Sequence, residues 1–307
     1  MDKVLIMMST YNGERFLREQ IDSLYEQKNV DVHILVRDDG SKDTTLQILQ
    51  EYLNKKGNIN IIVGDNVGPG RSFFELAQHA GEYYREFDYY CFCDQDDVWL
   101  PEKLSESIRM LKSIKESNKL YIGRARYVDK DLNLIGEAPT IKYYDYKTSV
   151  YRNPALGCTM VFDMELLKLF NLSYPYLHNI DNLHDAWLFK CANFLNSSIV
   201  VDSTPHILYR QHGSNVTDAN KSTIKKYVNG IKRRLKRKNS YKIHASIFFD
   251  IYKAKIVDTE KFNFLKSLIE YDRSLSNTMR YLNSQPWQTE NKGDRLLWKF
   301  LVLLRLF

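Results

Sequence analysis

The chain has 307 residues, of which 44% are hydrophobic and 27% charged, and this composition excludes fibrous, low-complexity and intrinsically disordered proteins. The length is enough for one large domain, or for one domain with an appendage. The formal net charge is +6, but residues 221–242 contain ten Lys or Arg and no acid, so the other 285 residues carry a net charge of −4. A basic character confined to one segment argues against nucleic-acid binding and predicts a local basic surface.

The first hundred residues alternate between apolar strand patterns and amphipathic helix patterns. Short apolar runs recur at intervals of about 27 to 30 residues, the repeat of a βαβ unit, and they are Val4–Met8, Val32–Val36, Ile59–Val63 and Tyr89–Cys93. Helical spacing of apolar residues begins at Leu17 and again at Phe73. The pattern predicts an α/β fold with a Rossmann-like, mostly parallel sheet and helices on both faces.

The pattern changes in the second half of the chain. Shorter strands and one helix, around Met164–Phe170, are predicted between residues 120 and 215. Beyond a boundary near residue 218, apolar residues at helical spacing between Ile224 and Leu235 predict a basic amphipathic helix, and further helix is predicted around Thr259–Leu282. We therefore expect a domain over 1–218 and a helical C-terminal region over 219–307.

The four cysteines are too few and too scattered for a disulfide framework. No second Cys/His pair accompanies Cys91 and Cys93 to complete a zinc site. All four are therefore expected to be reduced core residues, and they are Cys91, Cys93, Cys158 and Cys191.

An acidic cluster, Asp94-Gln95-Asp96-Asp97, follows the fourth predicted strand. Carboxylates so close together repel one another and are costly to bury unless a cation joins them. A divalent cation held by one or two carboxylates and the phosphates of a ligand would offset that cost. The alternative is a solvated acidic turn in front of a helix.

Two polar turns follow the first two strands, where ligands bind in such sheets. In the turn Asp38–Ser41, a carboxylate could accept the imide N–H of a pyrimidine, while Gly40 allows a close backbone approach. The turn at Thr10–Gly13 could present backbone N–H groups to a phosphate. Either turn could equally be a helix cap without a ligand.

Taken in order, the motifs S-T-Y-N-G, D-D-G-S, N-x-G-x-G (Asn66, Gly68 and Gly70) and D-Q-D-D-V-W resemble the family-2 glycosyltransferases of GT-A fold. The resemblance covers roughly residues 1–218. Within the family, the chain looks most similar to bacterial rhamnosyltransferase-type enzymes that build surface polysaccharides.

The resemblance implies a role for each matching residue. Asp39 would bind the base, and Asp96 would bind a divalent metal, Mn²⁺ or Mg²⁺, with His212 as a further ligand. The other residues implied in nucleotide and donor binding are Thr10, Tyr11, Asn12, Arg71, Asp94, Gln95 and Asp97.

A second acidic motif, from Leu183 to Leu188, resembles the one that carries the family's general base. Here that residue is Asp185, and His184 replaces the acid that usually precedes it. Taking the proton of an attacking sugar hydroxyl is the chemistry that such a carboxylate performs. The resemblance also places Gly157, Cys158 and Trp187 on the acceptor side.

The implied activity is an inverting, metal-dependent transfer of a sugar from a nucleotide diphosphate donor to a saccharide or a lipid-linked saccharide. Rhamnose from dTDP-rhamnose is the first expectation, and a UDP-hexose is the alternative. A sugar-1-phosphate nucleotidyltransferase is less compatible, because STYNGERF stands where its Gly-rich loop would be. A non-enzymatic protein that binds polyanions or membranes would leave the polar strand ends unexplained.

The basic segment and the apolar residues 296–307 predict attachment to an anionic membrane surface, since clustered cations and an apolar face both favour it. The expected location is cytoplasmic, peripheral on the inner face of the plasma membrane. The alternatives are a helical subdomain packed on the core, or a homo-oligomer contact made by the tail.

Overall fold

The computed structural model describes residues 1–179, 184–211, 240–284 and 292–305, which form one central sheet covered by helices on both faces. The nine strands of the sheet are β1 (Asp2–Thr10), β2 (Val30–Asp38), β3 (Ile59–Val63), β4 (Tyr89–Cys93), β5 (Val98–Trp99), β6 (Lys119–Val128), β7 (Leu134–Glu137), β8 (Met160–Asp163) and β9 (Ser198–Arg210). Their order is β3-β2-β1-β4-β8-β6-β9-β5, with β7 paired to β6.

The helices of the described residues alternate with the strands and then continue alone at the C-terminal end. They are α1 (Leu17–Tyr25), α2 (Thr45–Lys56), α3 (Pro69–Tyr83), α4 (Lys103–Lys112), α5 (Tyr146–Tyr151), α6 (Met164–Asn171), α7 (His184–Phe194), α8 (Ser240–Tyr252), α9 (Thr259–Glu270), α10 (Leu275–Asn283) and α11 (Lys292–Leu303). Short 3₁₀ turns span Gly157–Thr159 and Tyr174–Asn179.

The first half of the sheet confirms the predicted strands. Strands β1 to β4 pair in parallel, and each contains one of the four predicted runs. Beyond β4 the sheet becomes mixed, because β8 runs antiparallel to both β4 and β6 while β6 and β9 are parallel. Because β8 is antiparallel to both of its neighbours, β6 and β9 run in the same direction as β1 to β4. The carboxyl ends of β1, β2, β4, β6 and β9 therefore lie at the same edge of the sheet.

Alternation along the strands divides the core between the two faces of the sheet. On β1, Leu5 and Met7 point to one face, while Val4, Ile6 and Met8 point to the other. Helices α1, α2 and α4 cover the second face. Helices α3, α6 and α7 cover the first, and apolar residues of the C-terminal helices join the same cluster.

The C-terminal helices are therefore packed on the sheet domain. The predicted helix over Thr259–Leu282 is two helices, since Ser274 begins α10 by accepting a hydrogen bond from the Asn277 N–H. The boundary near 218 and the basic helix at 224–235 lie outside the described residues. Within the described ranges, none of the helices combines the length and the apolar character needed to cross a bilayer.

Candidate active site

The acidic cluster lies at the edge where the parallel strands end, directly after β4. Asp94 and Asp97 lie together with Cys158, with ligand atoms within 4.8 Å of one another. Asp97 is fully buried and Asp94 partly so. Cys158 reaches the cluster because the 3₁₀ turn before β8 brings it beside β4. All four cysteines are free and buried, as predicted.

Burial and mutual repulsion both favour the protonated carboxyls in this cluster. Burial, followed by the charges of Asp96 and Asp185, raises the pKa of Asp94 to about 7. Burial and the two neighbouring aspartates likewise raise the pKa of Asp97. The thiol of Cys158 lies beside both carboxylates, and burial raises the pKa of that thiol well above its ordinary value, so it remains protonated.

Arg210, the last residue of β9, holds the acidic turn in place. Its backbone N–H donates to Asp97 Oδ1 at 3.1 Å, and its Nε donates to the Asp96 carbonyl at 2.8 Å. The guanidinium is fully buried, lies 4.3 Å from the centroid of the Phe16 ring and pairs with Glu19 at 2.7 Å. One arginine therefore connects α1, the acidic turn and β9.

The donor set fits a hard divalent cation. Among the described residues, Asp97 Oδ2 is a buried carboxylate oxygen without a hydrogen-bond partner, and buried unpaired charges are costly. Oxygen ligands are those that Mg²⁺ and Mn²⁺ prefer, whereas a protonated thiol is not, so we assign no metal-ligand role to Cys158. His212, the other predicted ligand, lies outside the described residues.

Asp185 stands at the start of α7, close enough to Asp94 for its charge to raise the pKa of that residue. Burial raises the pKa of Asp185 itself to about 6, although its carboxylate accepts hydrogen bonds from the N–H groups of Ala186 and Gly157 and from the Asn153 side chain. The bond from Ala186 measures 2.7 Å. A carboxyl that titrates near neutral pH suits proton transfer at physiological pH.

His184 and Gly157 fit against each other beside this carboxylate. A Cβ at Gly157 would lie 2.7 Å from His184 Nε2 and 3.2 Å from Asp185 Cβ, so only glycine allows the approach. The imidazole lies between the Phe73 and Phe92 rings, and burial lowers its pKa to about 3. His184 is thus a neutral packing residue.

Trp187, predicted on the acceptor side, is fully buried and packs against Phe248 of α8. Its side chain packs α7 against α8 in the core. A side chain without exposed surface cannot contact an acceptor in this structure.

Asp39 is buried at the end of β2, where it fixes the loop that follows β3. Its Oδ1 accepts from Arg37 Nη1 and from the Val67 N–H, and its Oδ2 accepts from the Gly68 N–H at 2.9 Å. A carboxylate has about four acceptor positions. Three donors therefore leave one position on Oδ2 for a ligand.

The turn after β1 is tied to the acidic turn and to the turn after β2. Gln95 Oε1 accepts from the Tyr11 N–H at 2.8 Å, and its Nε2 donates to the Tyr11 carbonyl at 3.1 Å. Asn12 Oδ1 accepts from the Lys42 N–H, and the Thr10 hydroxyl donates to Asp38. Tyr11 itself remains 44% exposed, so its ring is accessible to a base or ribose.

The sequence analysis did not identify two buried arginines beside the site carboxylates, Arg37 and Arg210, and the donor-binding role of Arg71 stays a prediction. Arg71 is exposed and pairs with Glu75 at 3.2 Å on the surface of α3. The buried arginine of this region is Arg37, which contacts both Asp39 and Glu75. Arg37 and Arg210 share a sequence signal, a cation inside an apolar strand, which calls for a buried acidic or carbonyl partner.

Comparisons with known proteins agree on one family. The sequence profile described as "Glycosyl transferase family 2" matches residues 5–171. The chain is 35% identical over 233 residues, 72% of its length, to the dTDP-rhamnosyl transferase RfbG of Shigella flexneri, of which it covers 76%. It is 26% identical over 60% of its length to WfgD of Escherichia coli, of which it covers 68% and which is described as a UDP-Glc:alpha-D-GlcNAc-diphosphoundecaprenol beta-1,3-glucosyltransferase.

The fold has a solved counterpart as well. A crystal structure of S. aureus TarS in complex with UDP-GlcNAc superposes with a TM-score of 0.57 at 16% identity, over 92% of this chain and 79% of the other.

Proposed function

We propose, from the premise that the chain belongs to glycosyl transferase family 2, that it transfers rhamnose from dTDP-rhamnose to a saccharide during polysaccharide synthesis. The observation that supports glycosyl transfer is the position of Asp185 near the acidic turn at the carboxyl edge of the sheet. Family membership makes the nucleotidyltransferase and the non-enzymatic interpretations unnecessary.

The chemistry is a single displacement with inversion at the anomeric carbon. The acceptor oxygen forms a bond to that carbon, the bond to the diphosphate oxygen breaks, and the hydroxyl proton passes to the Asp185 carboxylate. The hydrogen bond from the Ala186 N–H, at 2.7 Å, orients that carboxylate. Because no covalent intermediate forms on the enzyme, no separate nucleophile is required.

Asp94 and Asp96 are the carboxylates that we assign to a divalent cation, since both are partly accessible, and the unpaired Oδ2 of buried Asp97 would face the same cation. A cation there would neutralise the charge that develops on the departing diphosphate. Asp97 positions the turn through the backbone N–H of Arg210.

The nucleotide would lie between the turns after β1 and β2. The remaining acceptor position on Asp39 suits the imide N–H of thymine or uracil, and the exposed Tyr11 ring can stack against the base. Both features bind a pyrimidine without distinguishing dTDP from UDP.

The choice of rhamnose rests on the relative described as a dTDP-rhamnosyl transferase. A UDP-hexose is the second candidate, favoured by the relative described as a UDP-glucose-dependent enzyme. That relative's described substrate also supports a lipid-linked acceptor for this chain, used at the inner face of the plasma membrane.

Thermal unfolding with dTDP, UDP, GDP and CMP, each with and without Mn²⁺ or Mg²⁺, tests the donor site. A nucleotide at about a hundred times its Kd adds roughly 2.7 kcal/mol to the free energy of unfolding. We expect the largest metal-dependent shift with dTDP, followed by rhamnosyl transfer from dTDP-rhamnose. A larger shift with UDP would favour a UDP-hexose over dTDP-rhamnose as the donor. The absence of a shift with any nucleotide would refute the proposed donor site.

The variant Asp185→Asn separates binding from transfer. It should retain the dTDP shift, because Asp185 lies outside the nucleotide contacts, and should lose transfer by about 10²- to 10⁴-fold, the usual contribution of a general base. Transfer at the wild-type rate would remove Asp185 from this role.

A further inference from the structure

The last helix, α11, exposes an apolar stripe on its outer face. Four large apolar side chains are at least half exposed, and they are Leu296 (68%), Phe300 (57%), Leu303 (52%) and Leu304 (50%). Counted from Leu296, these residues stand at positions 0, 4, 7 and 8. At 3.6 residues per turn, those positions fall within an arc of about 100° around the helix axis. The helical hydrogen bond from the Leu304 N–H to the Phe300 carbonyl keeps Leu304 in this register.

The opposite face of α11 is buried in the protein. Trp298, Leu301 and Val302 belong to the core cluster shared with α7 and α8, and each is at most 7% exposed. A surface helix normally turns its polar face to water. The outer stripe of α11 is therefore not needed for folding, and large contiguous apolar patches of this kind mark interaction sites.

Cationic residues accompany the stripe. Residues 292–305 contain four Lys or Arg and one Asp, and Arg295 and Lys299 are exposed along one side of the stripe. In addition, the Tyr241 ring lies 5.4 Å from that of Trp298, so α8 begins against α11. Tyr241, near the end of the basic segment 221–242, therefore lies beside this helix.

We propose that the outer face of α11 docks onto an anionic lipid bilayer, with its apolar stripe in the acyl boundary and Lys299 at the headgroups. An apolar face beside cationic residues is the combination that binds anionic bilayers in the plane of the interface. A second copy of this chain fits less well. An isologous contact would place the same patch on both sides and bring the cationic rims together.

This proposal rests on the proposed function insofar as a lipid-linked acceptor would give the enzyme a reason to bind a membrane. The docking surface itself can be tested without measuring any activity. Sedimentation with vesicles of 70% phosphatidylcholine and 30% phosphatidylglycerol should capture the full chain, and pure phosphatidylcholine vesicles should capture at least tenfold less. The double variant Leu296→Asp/Phe300→Asp should lower the bound fraction at least tenfold. Leu134→Asp, which changes a residue of similar exposure (63%) on β7, is the matched control and should bind as the wild type.

A second variant tests the electrostatic part. Lys299→Glu leaves the stripe intact and should weaken binding severalfold, with a smaller residual dependence on salt. Wild-type chain that stays in the supernatant, or a double variant that binds unchanged, would overturn the proposal. A further outcome would also overturn it: a wild-type chain that is dimeric in light scattering and does not bind vesicles, together with a double variant that is monomeric. The stripe would then be an interface between two copies of the chain.

The dTDP-dependent unfolding shift, measured on the same variants, keeps the two proposals apart. A retained shift with lost vesicle binding is the expected result for the double variant. Vesicle binding without any nucleotide shift in the wild type would refute the proposed function and leave the docking surface standing.

Discussion

At the scale of the residue, the environment of Asp185 decides when it can act. The ordinary pKa of an aspartate is near 3.9, and burial raises that of Asp185 to about 6. Because its folded-state pKa lies above the unfolded value, ionising this group costs stability. Its contribution to stability is therefore present at low pH and is lost as pH rises through about 6. The same burial that destabilises the ionised carboxylate also makes it a stronger base than an exposed aspartate.

The same pKa predicts the pH dependence of transfer. Asp185 must be ionised to accept a proton, so kcat at saturating donor and divalent cation should be low at pH 5 and should rise with a midpoint near 6. Initial rates from pH 5 to 8.5 test this. The dTDP unfolding shift at each pH serves as the control for lost binding. A flat rate over this range would exclude Asp185 as the group that titrates.

At the scale of the element, the site depends on turns that are tied to one another across the edge of the sheet. Gln95 connects the acidic turn to the turn after β1, and a Cβ at Gly13 would collide with its side chain. Asn12 connects the turns after β1 and β2. Arg210 connects the acidic turn to α1. These contacts pre-organise carboxylates that would otherwise repel one another.

Replacement of Arg210 should loosen the acidic turn. Arg210→Met leaves the Asp96 carbonyl without its donor and removes the pair with Glu19. Hydrogen bonds to charged groups contribute about 1.5–3 kcal/mol each, so we expect a loss of about 2–4 kcal/mol in the free energy of unfolding. Metal-dependent dTDP affinity should fall about tenfold, a loss of roughly 1.4 kcal/mol in binding free energy.

The control for this variant is Arg126→Met, which removes a half-exposed arginine of β6 with a pair at 3.7 Å to Glu137. It should change stability by less than about 0.5 kcal/mol. If Arg210→Met bound dTDP and unfolded as the wild type does, the acidic turn would not depend on β9.

At the scale of the whole molecule, the C-terminal helices complete the core against which α7 packs. Phe248 of α8 is fully buried and lies against Trp187 and Phe194 of α7, with ring centroids 5.5 and 5.4 Å apart. Asp185 begins the same helix α7. The position of the proposed general base therefore depends on residues far along the chain.

Removal of the Phe248 ring should destabilise the whole chain. Phe248→Ala creates a cavity in a shared cluster and should cost about 3–5 kcal/mol, in one cooperative transition measured by calorimetry. Ile243→Ala, at a half-exposed position of the same helix, should cost far less. Two separate transitions, with the upper one unchanged in Phe248→Ala, would mean that the helices form an independent domain.

The sequence by itself determined the parallel half of the sheet and the order of its polar turns. Alternating apolar runs specify strands locally, and β1 to β4 follow one another in chain order. It also predicted a site at the acidic cluster after β4, because buried carboxylates without a cationic partner are costly, whereas Asp185 was predicted only from the resemblance to the family.

Only the tertiary structure decided which of these groups meet. Cys158 and Arg210 reach the acidic turn through β8 and β9, which are added to the sheet out of sequence order. Arg37 reaches Asp39 because both lie at the buried end of β2, a pairing that the sequence analysis did not predict. Trp187 turned inward because α8 supplied apolar partners that a local pattern does not reveal. These pairings are set by packing between residues that are far apart in the chain, and the local periodicity of apolar residues carries no information about such contacts.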